Sequence, residues 1–220
     1  MSGITSPFLT APEAAPQLAA IARGFYERGW LPGTSGNLSV RLADSERGEP
    51  RMLITVSGRD KGELTEADFI QLGPMATPIE STPNKPSAEA LLHEVVYAQF
   101  PEARAVFHIH SVTATLLSQQ LPPEATELRI QGLEMLKGLS GHTTHEAEVA
   151  IPVFPNHQDM VVLSRQVAQR GLSANCPGFL LKGHGLYAWG NSLFEAKRHV
   201  ETFEFLFQVA FQSRLLGVVS

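Results

Sequence analysis

Two histidines, His108 and His110, close the apolar run Ala105-Val106-Phe107-His108-Ile109-His110, and a third, His184, stands between Gly183 and Gly185. Alternate residues of a strand share a face, so the pair is expected on one side of a strand end. Three neutral imidazoles suit one divalent ion and leave a coordination position open to substrate and water. Zinc is the first expectation, and iron, cobalt and manganese accept similar donors. Small neighbours let the backbone at His184 turn tightly. A lone histidine is more often structural; the pair together with the glycine-flanked third is what points to a metal. His93, His142, His145, His157 and His199 lack such a setting. His142 and His145 read as pocket or loop residues.

A metal alone explains only binding. Two carboxylates are candidates for proton transfer beside it: Glu89, in Lys85-Pro86-Ser87-Ala88-Glu89, and Glu134, in Leu133-Glu134-Met135-Leu136-Lys137-Gly138. A carboxylate near a metal-polarised carbonyl compound can move a proton. Glutamates are usually surface residues, so neither is decisive by itself. Two further segments are rich in backbone donors and hydroxyls: Gly33-Thr34-Ser35-Gly36-Asn37 and Ser57-Gly58-Arg59-Asp60-Lys61-Gly62. Such loops can cradle a phosphate, with Lys85 and Ser87 closing the site at a helix start. The same residue types also make ordinary turns. Neither segment has the lysine placement of a nucleotide-triphosphate loop, which favours a small phosphorylated metabolite.

The elements that must position these groups follow from periodicity. The chain has 220 residues, 43% of them apolar, and a formal charge of -5. That is enough for one sizeable core and argues against a nucleic-acid partner. Residues 1–12 read as a loose lead-in and 13–220 as a single domain. The lone Cys176 excludes an internal disulfide and reads as a small core residue. The N-terminus lacks a secretory pattern and no apolar run reaches membrane-spanning length, so a cytoplasmic setting without a membrane is expected.

Apolar spacing predicts helices over Glu13 to Trp30, Ser87 to Phe100 with Ser87 as its cap, Val112 to Gln119, Met160 to Arg170 and Phe194 to Leu216. Strands are expected at Leu38 to Leu42, Arg51 to Val56, Arg104 to Ile109, Phe179 to Leu181 and Leu186 to Trp189, with further short apolar segments at Leu133 to Leu136 and Val149 to Phe154. Thr65 to Asp68 has capping-box spacing for a short helix, and Pro74 to Pro86 reads as an ordered loop. The aromatic-rich last helix is expected to bury against the sheet, with another subunit as a further partner. Strands alternating with helices make this an α/β chain. No strand-linked Gly-x-Gly-x-x-Gly favours a dinucleotide.

Taken in order, Gly33-Thr34-Ser35-Gly36-Asn37-Leu38-Ser39, Ser57 to Gly62, Lys85 to Glu89, His108-Ile109-His110-Ser111, Glu134 to Gly138 and Lys182-Gly183-His184-Gly185 resemble the class II aldolase and epimerase family over nearly the whole chain. The Glu134 segment resembles its dehydratase branch. The resemblance implies a three-layer α/β/α fold with a central, predominantly antiparallel sheet, one divalent metal per subunit, and a homotetramer with sites near subunit boundaries. It assigns His108, His110 and His184 to the metal, and Thr34, Ser35, Gly36, Asn37, Ser57, Gly58 and Ser87 to the phosphate. Glu89 matches the acid/base glutamate of the aldolases, and Glu134 matches the carboxylate of the dehydratase branch, which is favoured for proton transfer. Ala88 departs from the paired serines of related aldolases. The implied reaction is dehydration of 5-methylthioribulose 1-phosphate to 5-methylthio-2,3-diketopentyl 1-phosphate in methionine salvage. The alternatives are a fuculose- or rhamnulose-phosphate type of aldolase, and a nonenzymatic interaction module on the same scaffold.

Overall fold

The computed structural model describes residues 8–217. Residues 1–7, most of the expected lead-in, lie outside the described residues. Helix α1 (Ala11–Glu27) begins two residues before the expected Glu13. Pro12 sits in the first turn, where a missing N–H costs nothing, and Glu13 accepts from the backbone N–H and hydroxyl of Thr10.

Among the described residues nine strands form one sheet: β1 (Asn37–Leu42), β2 (Arg51–Thr55), β3 (Phe69–Gly73), β4 (Thr77–Pro78), β5 (Ala105–Ile109), β6 (Glu127–Gln131), β7 (Glu148–Phe154), β8 (Gly178–Leu181) and β9 (Gly185–Gly190). Their order is β4-β3-β2-β1-β5-β9-β8-β7-β6. Every pairing is antiparallel except β7 with β8. The remaining helices are α2 (Ala90–Gln99), α3 (Val112–Gln119), α4 (Met160–Arg170) and α5 (Leu193–Leu215).

Two apolar clusters show the layers. One joins Leu18 and Phe25 of α1, Leu117 of α3 and Phe203, Leu206 and Phe207 of α5 to Phe107 and Ile109 of the sheet. The other joins Leu92 and Val96 of α2 and Leu163 and Val167 of α4 to Val106 and Tyr187. Alternation along β5 therefore sends Phe107 and Ile109 to one face and Val106 and His108 to the face beneath α2. With both faces covered, β5 reads as a continuous apolar run.

Several expectations change. β3, β4 and β6 were not anticipated. β6 is an edge strand whose outward Glu127, Arg129 and Gln131 dilute its apolar signal. Of the two short apolar segments, Leu133 to Leu136 overlaps a 3₁₀ turn at Glu134–Gly138 and Val149 to Phe154 lies in β7. Thr65 does close a capping box with Asp68, on a 3₁₀ turn. Ser87 does not cap α2, which starts at Ala90; its hydroxyl accepts from the Glu89 N–H in the preceding turn. On α5, Phe203 and Phe207 are fully buried, whereas Phe194 and Phe205 face outward. Cys176 is buried, and burial pushes its thiol up to about 12.

Candidate metal centre

The middle of the sheet delivers the histidines. His108 is buried in β5, stacked on Tyr187 of β9 with ring centroids 4.0 Å apart. His110 follows β5, its backbone N–H held by the carbonyl of Trp30. His184 lies in the turn between β8 and β9. That turn presses on β5 so closely that a Cβ on Gly185 would overlap the Ile109 carbonyl oxygen. Only glycine fits there.

The structure brings the three rings together by their Nε2 atoms. His108 and His110 are 2.8 Å apart there, His110 and His184 3.2 Å, and His108 and His184 3.3 Å. Ligands at about 2.0–2.1 Å in tetrahedral directions lie about 3.3 Å from one another, so two of the three spacings fit an ion directly. The opposite ring nitrogens fix the tautomers. His108 Nδ1–H donates to the Leu186 carbonyl at 3.0 Å, and His184 Nδ1–H donates to Asn156 Oδ1 at 3.2 Å. The Nε2 lone pairs of both rings therefore face each other, an arrangement that is repulsive without a cation and suited to one. Burial lowers His108 well below its ordinary value and lowers His110 to about 4, so both rings are neutral, as ligands must be.

Glu89, at the N-cap of α2, completes the cluster. Its Oε1 is 3.1 Å from His184 Nε2 and its Oε2 3.5 Å from His108 Nε2. Burial by itself would raise this carboxyl. Positive charge among His108, His184 and His110 lowers it, and with the rings neutral that charge is what a bound cation would supply. The centre opens into a cavity lined by Pro32, His110, Val112, Leu116, Met160 and His184, among others. The donor set fits a divalent metal, with Glu89 as the carboxylate beside it.

The three candidate anion segments also converge. Ser57 N–H donates to the Lys85 carbonyl at 2.9 Å, and Asn37 Nδ2 donates to Ser87 Oγ at 3.1 Å. Gly36 has φ +72 and lies so near His108 that a Cβ would stand 2.7 Å from its carbonyl oxygen. Thr34, Ser57, Gly58 and Lys85 are exposed. The Ser35 hydroxyl is spent on the Pro32 carbonyl at 2.7 Å. Ser87 accepts from Asn37 and from the Glu89 N–H, which leaves its own proton for another acceptor. Asn37 is 2% exposed, and its amide contacts Ser87, Glu89 and His93.

Lys61 was missed. It lies in Ser57 to Gly62, the second candidate anion segment, where it was not singled out, and it is 1% exposed. Its ammonium donates to the carbonyls of Thr34 at 2.9 Å and Arg59 at 2.8 Å, tying the two loops together. Burial lowers its pKa, against the opposing charges of Asp60 and Glu89.

The structure does not bring Glu134 into the cluster. Its side chain is 70% exposed and pairs with Lys137 at 2.6 Å and His145 at 3.8 Å. Among the described residues the metal-capable group is Glu89, His108, His110 and His184. His142 and His145 lie away from it, His142 Nε2 donating to the Asn175 carbonyl at 2.9 Å. No helix among the described residues is long and apolar enough to cross a membrane.

Comparison with known proteins gives concordant matches. A family profile described as Class II Aldolase and Adducin N-terminal domain matches residues 16–211. A methylthioribulose-1-phosphate dehydratase of Yersinia enterocolitica is 46% identical over 202 residues, covering 90% of this chain and 91% of that protein. A protein of the same name from Stenotrophomonas maltophilia is 42% identical over 218 residues, covering 98% and 99%. The crystal structure of an L-fuculose-1-phosphate aldolase from Thermus thermophilus superposes with a TM-score of 0.72 at 27% identity, covering 96% of this chain and 100% of that one.

Proposed function

The chain belongs to the class II aldolase and adducin N-terminal domain family, and on that premise we propose that it is a methylthioribulose-1-phosphate dehydratase. It converts 5-methylthioribulose 1-phosphate to 5-methylthio-2,3-diketopentyl 1-phosphate and water, a cytoplasmic step of methionine salvage. One divalent metal per subunit, zinc first, is held by His108, His110 and His184. The observation that carries this reading is the convergence of three Nε2 atoms beside the Glu89 carboxyl group. The relatives' name supplies the substrate.

A divalent cation supplies Lewis-acid polarisation of the substrate carbonyl. The rest falls to the chain. Thr34, Gly36, Ser57, Gly58, Lys85 and Ser87 surround the phosphate with donors, and Lys61 holds their two loops together and adds buried positive charge. Glu89 takes the proton from C3. The C4 hydroxyl then leaves as water with a proton from a carboxyl group, and the resulting enol gains a proton at C4 to give the second ketone. Glu134 is the second carboxylate. Its exposure lets it serve a neighbouring subunit's site in a homotetramer, where, released from the Lys137 ammonium that lowers it here and protonated, it gives its proton to the departing hydroxyl.

Mass spectrometry of the products tests this reading. With 5-methylthioribulose 1-phosphate, metal-dependent loss of one water and an intact five-carbon skeleton is expected. Two carbon fragments would establish an aldolase instead.

A further inference from the structure

Glu89 is held from behind by a continuous hydrogen-bond chain between β1 and α2. Asn37 and Ser39 are two apart on β1 and share the face beneath α2. Glu89, His93 and Tyr97 recur every fourth residue and share one side of α2 and its cap. The two rows interlock. Asn37 Nδ2 is 2.7 Å from Glu89 Oε2, and Asn37 Oδ1 is 2.5 Å from His93 Nε2. His93 Nδ1 is 2.7 Å from Ser39 Oγ, which is 2.8 Å from the Tyr97 hydroxyl. Asn37, Ser39 and His93 are at most 2% exposed, and Tyr97 is 7% exposed.

Donor inventory fixes every direction in this chain. Asn37 Nδ2 faces two oxygens, Glu89 Oε2 at 2.7 Å and Ser87 Oγ at 3.1 Å, so this side of the amide is its NH₂ group. The amide oxygen of Asn37 then faces His93, so His93 Nε2 must carry the proton. His93 Nδ1 is therefore an acceptor and takes the Ser39 hydroxyl proton. Ser39 Oγ in turn accepts from Tyr97. An Asn amide turned by half a rotation would set its oxygen against the Glu89 carboxylate and its NH₂ against the His93 Nε2–H, so Glu89 and His93 together exclude that state.

We propose that His93, locked in its Nε2–H tautomer by Ser39, is a positioning residue that holds the Asn37 amide in the orientation that aims Glu89 at the three-imidazole centre. The proposal rests on the assignment of Glu89 to proton transfer. It makes a second, independent statement about tautomers: His93 carries its proton on Nε2, while His108 and His184 carry theirs on Nδ1.

Both statements are tested with the full chain. Nitrogen-15 NMR of histidine-labelled, metal-free protein at neutral pH should show His93 as the neutral Nε2–H form; an Nδ1–H form overturns the proposal whatever reaction the protein catalyses. In the metal-loaded enzyme, His93→Leu should lower kcat about 10- to 100-fold, the scale of a misplaced reacting group, with KM and metal affinity changed less than about 3-fold on the same principle that a group acting only in the chemical step leaves binding alone. His93→Gln offers a donor to Asn37 and an acceptor to Ser39, and should restore most of the lost kcat. Ser39→Ala, a small deletion that serves if the leucine variant does not fold, should shift His93 toward Nδ1–H and lower kcat in parallel. Unchanged kcat in Ser39→Ala or His93→Leu, or equal losses in the Leu and Gln variants, overturns the positioning role. Aldol fragments combined with the expected tautomer and kcat pattern would overturn the dehydratase reading and leave this proposal standing.

Discussion

Glu204 of α5 is a buried acid whose removal has a calculable, pH-dependent effect. It is 0% exposed and accepts from Ser111 Oγ at 2.6 Å and Thr113 Oγ1 at 3.0 Å. Burial raises it from 4.5 to about 7, and those two hydroxyls only partly oppose the shift. The folded state therefore holds a proton that the unfolded chain releases at lower pH. The stability contribution is fully present below pH 4.5 and is lost as pH rises through about 7. At roughly 1.4 kcal/mol per pH unit, ionisation costs the fold on the order of 3 kcal/mol above neutrality. Glu204→Gln keeps the shape and cannot ionise. Urea unfolding of metal-free wild type and variant should give similar stabilities at pH 5, with the variant ahead by about 3 kcal/mol at pH 8. Comparing the two proteins cancels the other titrating groups. A difference that stays constant to within about 1 kcal/mol across this range would refute the argument that Glu204 is protonated in the fold.

Three further outcomes follow from the site. Asn156→Ala removes the acceptor that orients His184 and should weaken zinc binding about 10- to 100-fold, read by chelator competition; unchanged affinity would mean that this contact does not orient the ring. Gly36→Ala places a Cβ against the His108 carbonyl at positive φ and should destabilise by about 2–4 kcal/mol in urea unfolding, because the backbone oxygen it meets cannot swing aside. A loss below about 1 kcal/mol would show that the loop yields freely. Lys61→Met unties the two anion loops and removes a buried positive charge. It should raise KM for the phosphorylated substrate about 10- to 100-fold, since hydrogen bonds to charged groups are worth roughly 1.5–3 kcal/mol. Steady-state kinetics with an unchanged KM would remove Lys61 from the phosphate site.

The sequence was most legible where local periodicity and function coincide. The His108–His110 pair could be placed because strand alternation sets both rings on one face, and Gly185 explains how His184 reaches them. Helices α3 and α4 have the bounds expected of them, and the structure adds their caps, Ser111 and Asp159. Asn37 was not legible as a partner of Glu89, because a Gly-Asn loop looks the same whether its amide faces a ligand or a carboxylate from 52 residues away. Lys61 was hidden for a similar reason: its burial is imposed by the loop at Thr34, which local composition does not encode. Strand β6 was lost because only Leu128 and Ile130 mark its inward face. Glu134 shows the opposite limit. Its motif is distinctive, yet a single chain leaves it facing solvent, so the role proposed for it needs a site beyond the chain's own fold.

The account stands on one ion gripped by His108, His110 and His184. Zinc-loaded crystals measured at the zinc absorption edge test that directly. The anomalous map should show one peak per subunit about 2.0–2.1 Å from all three Nε2 atoms, the distance expected of zinc–imidazole bonds. A fully loaded protein whose peak lies elsewhere, or touches only two of these rings, would contradict it.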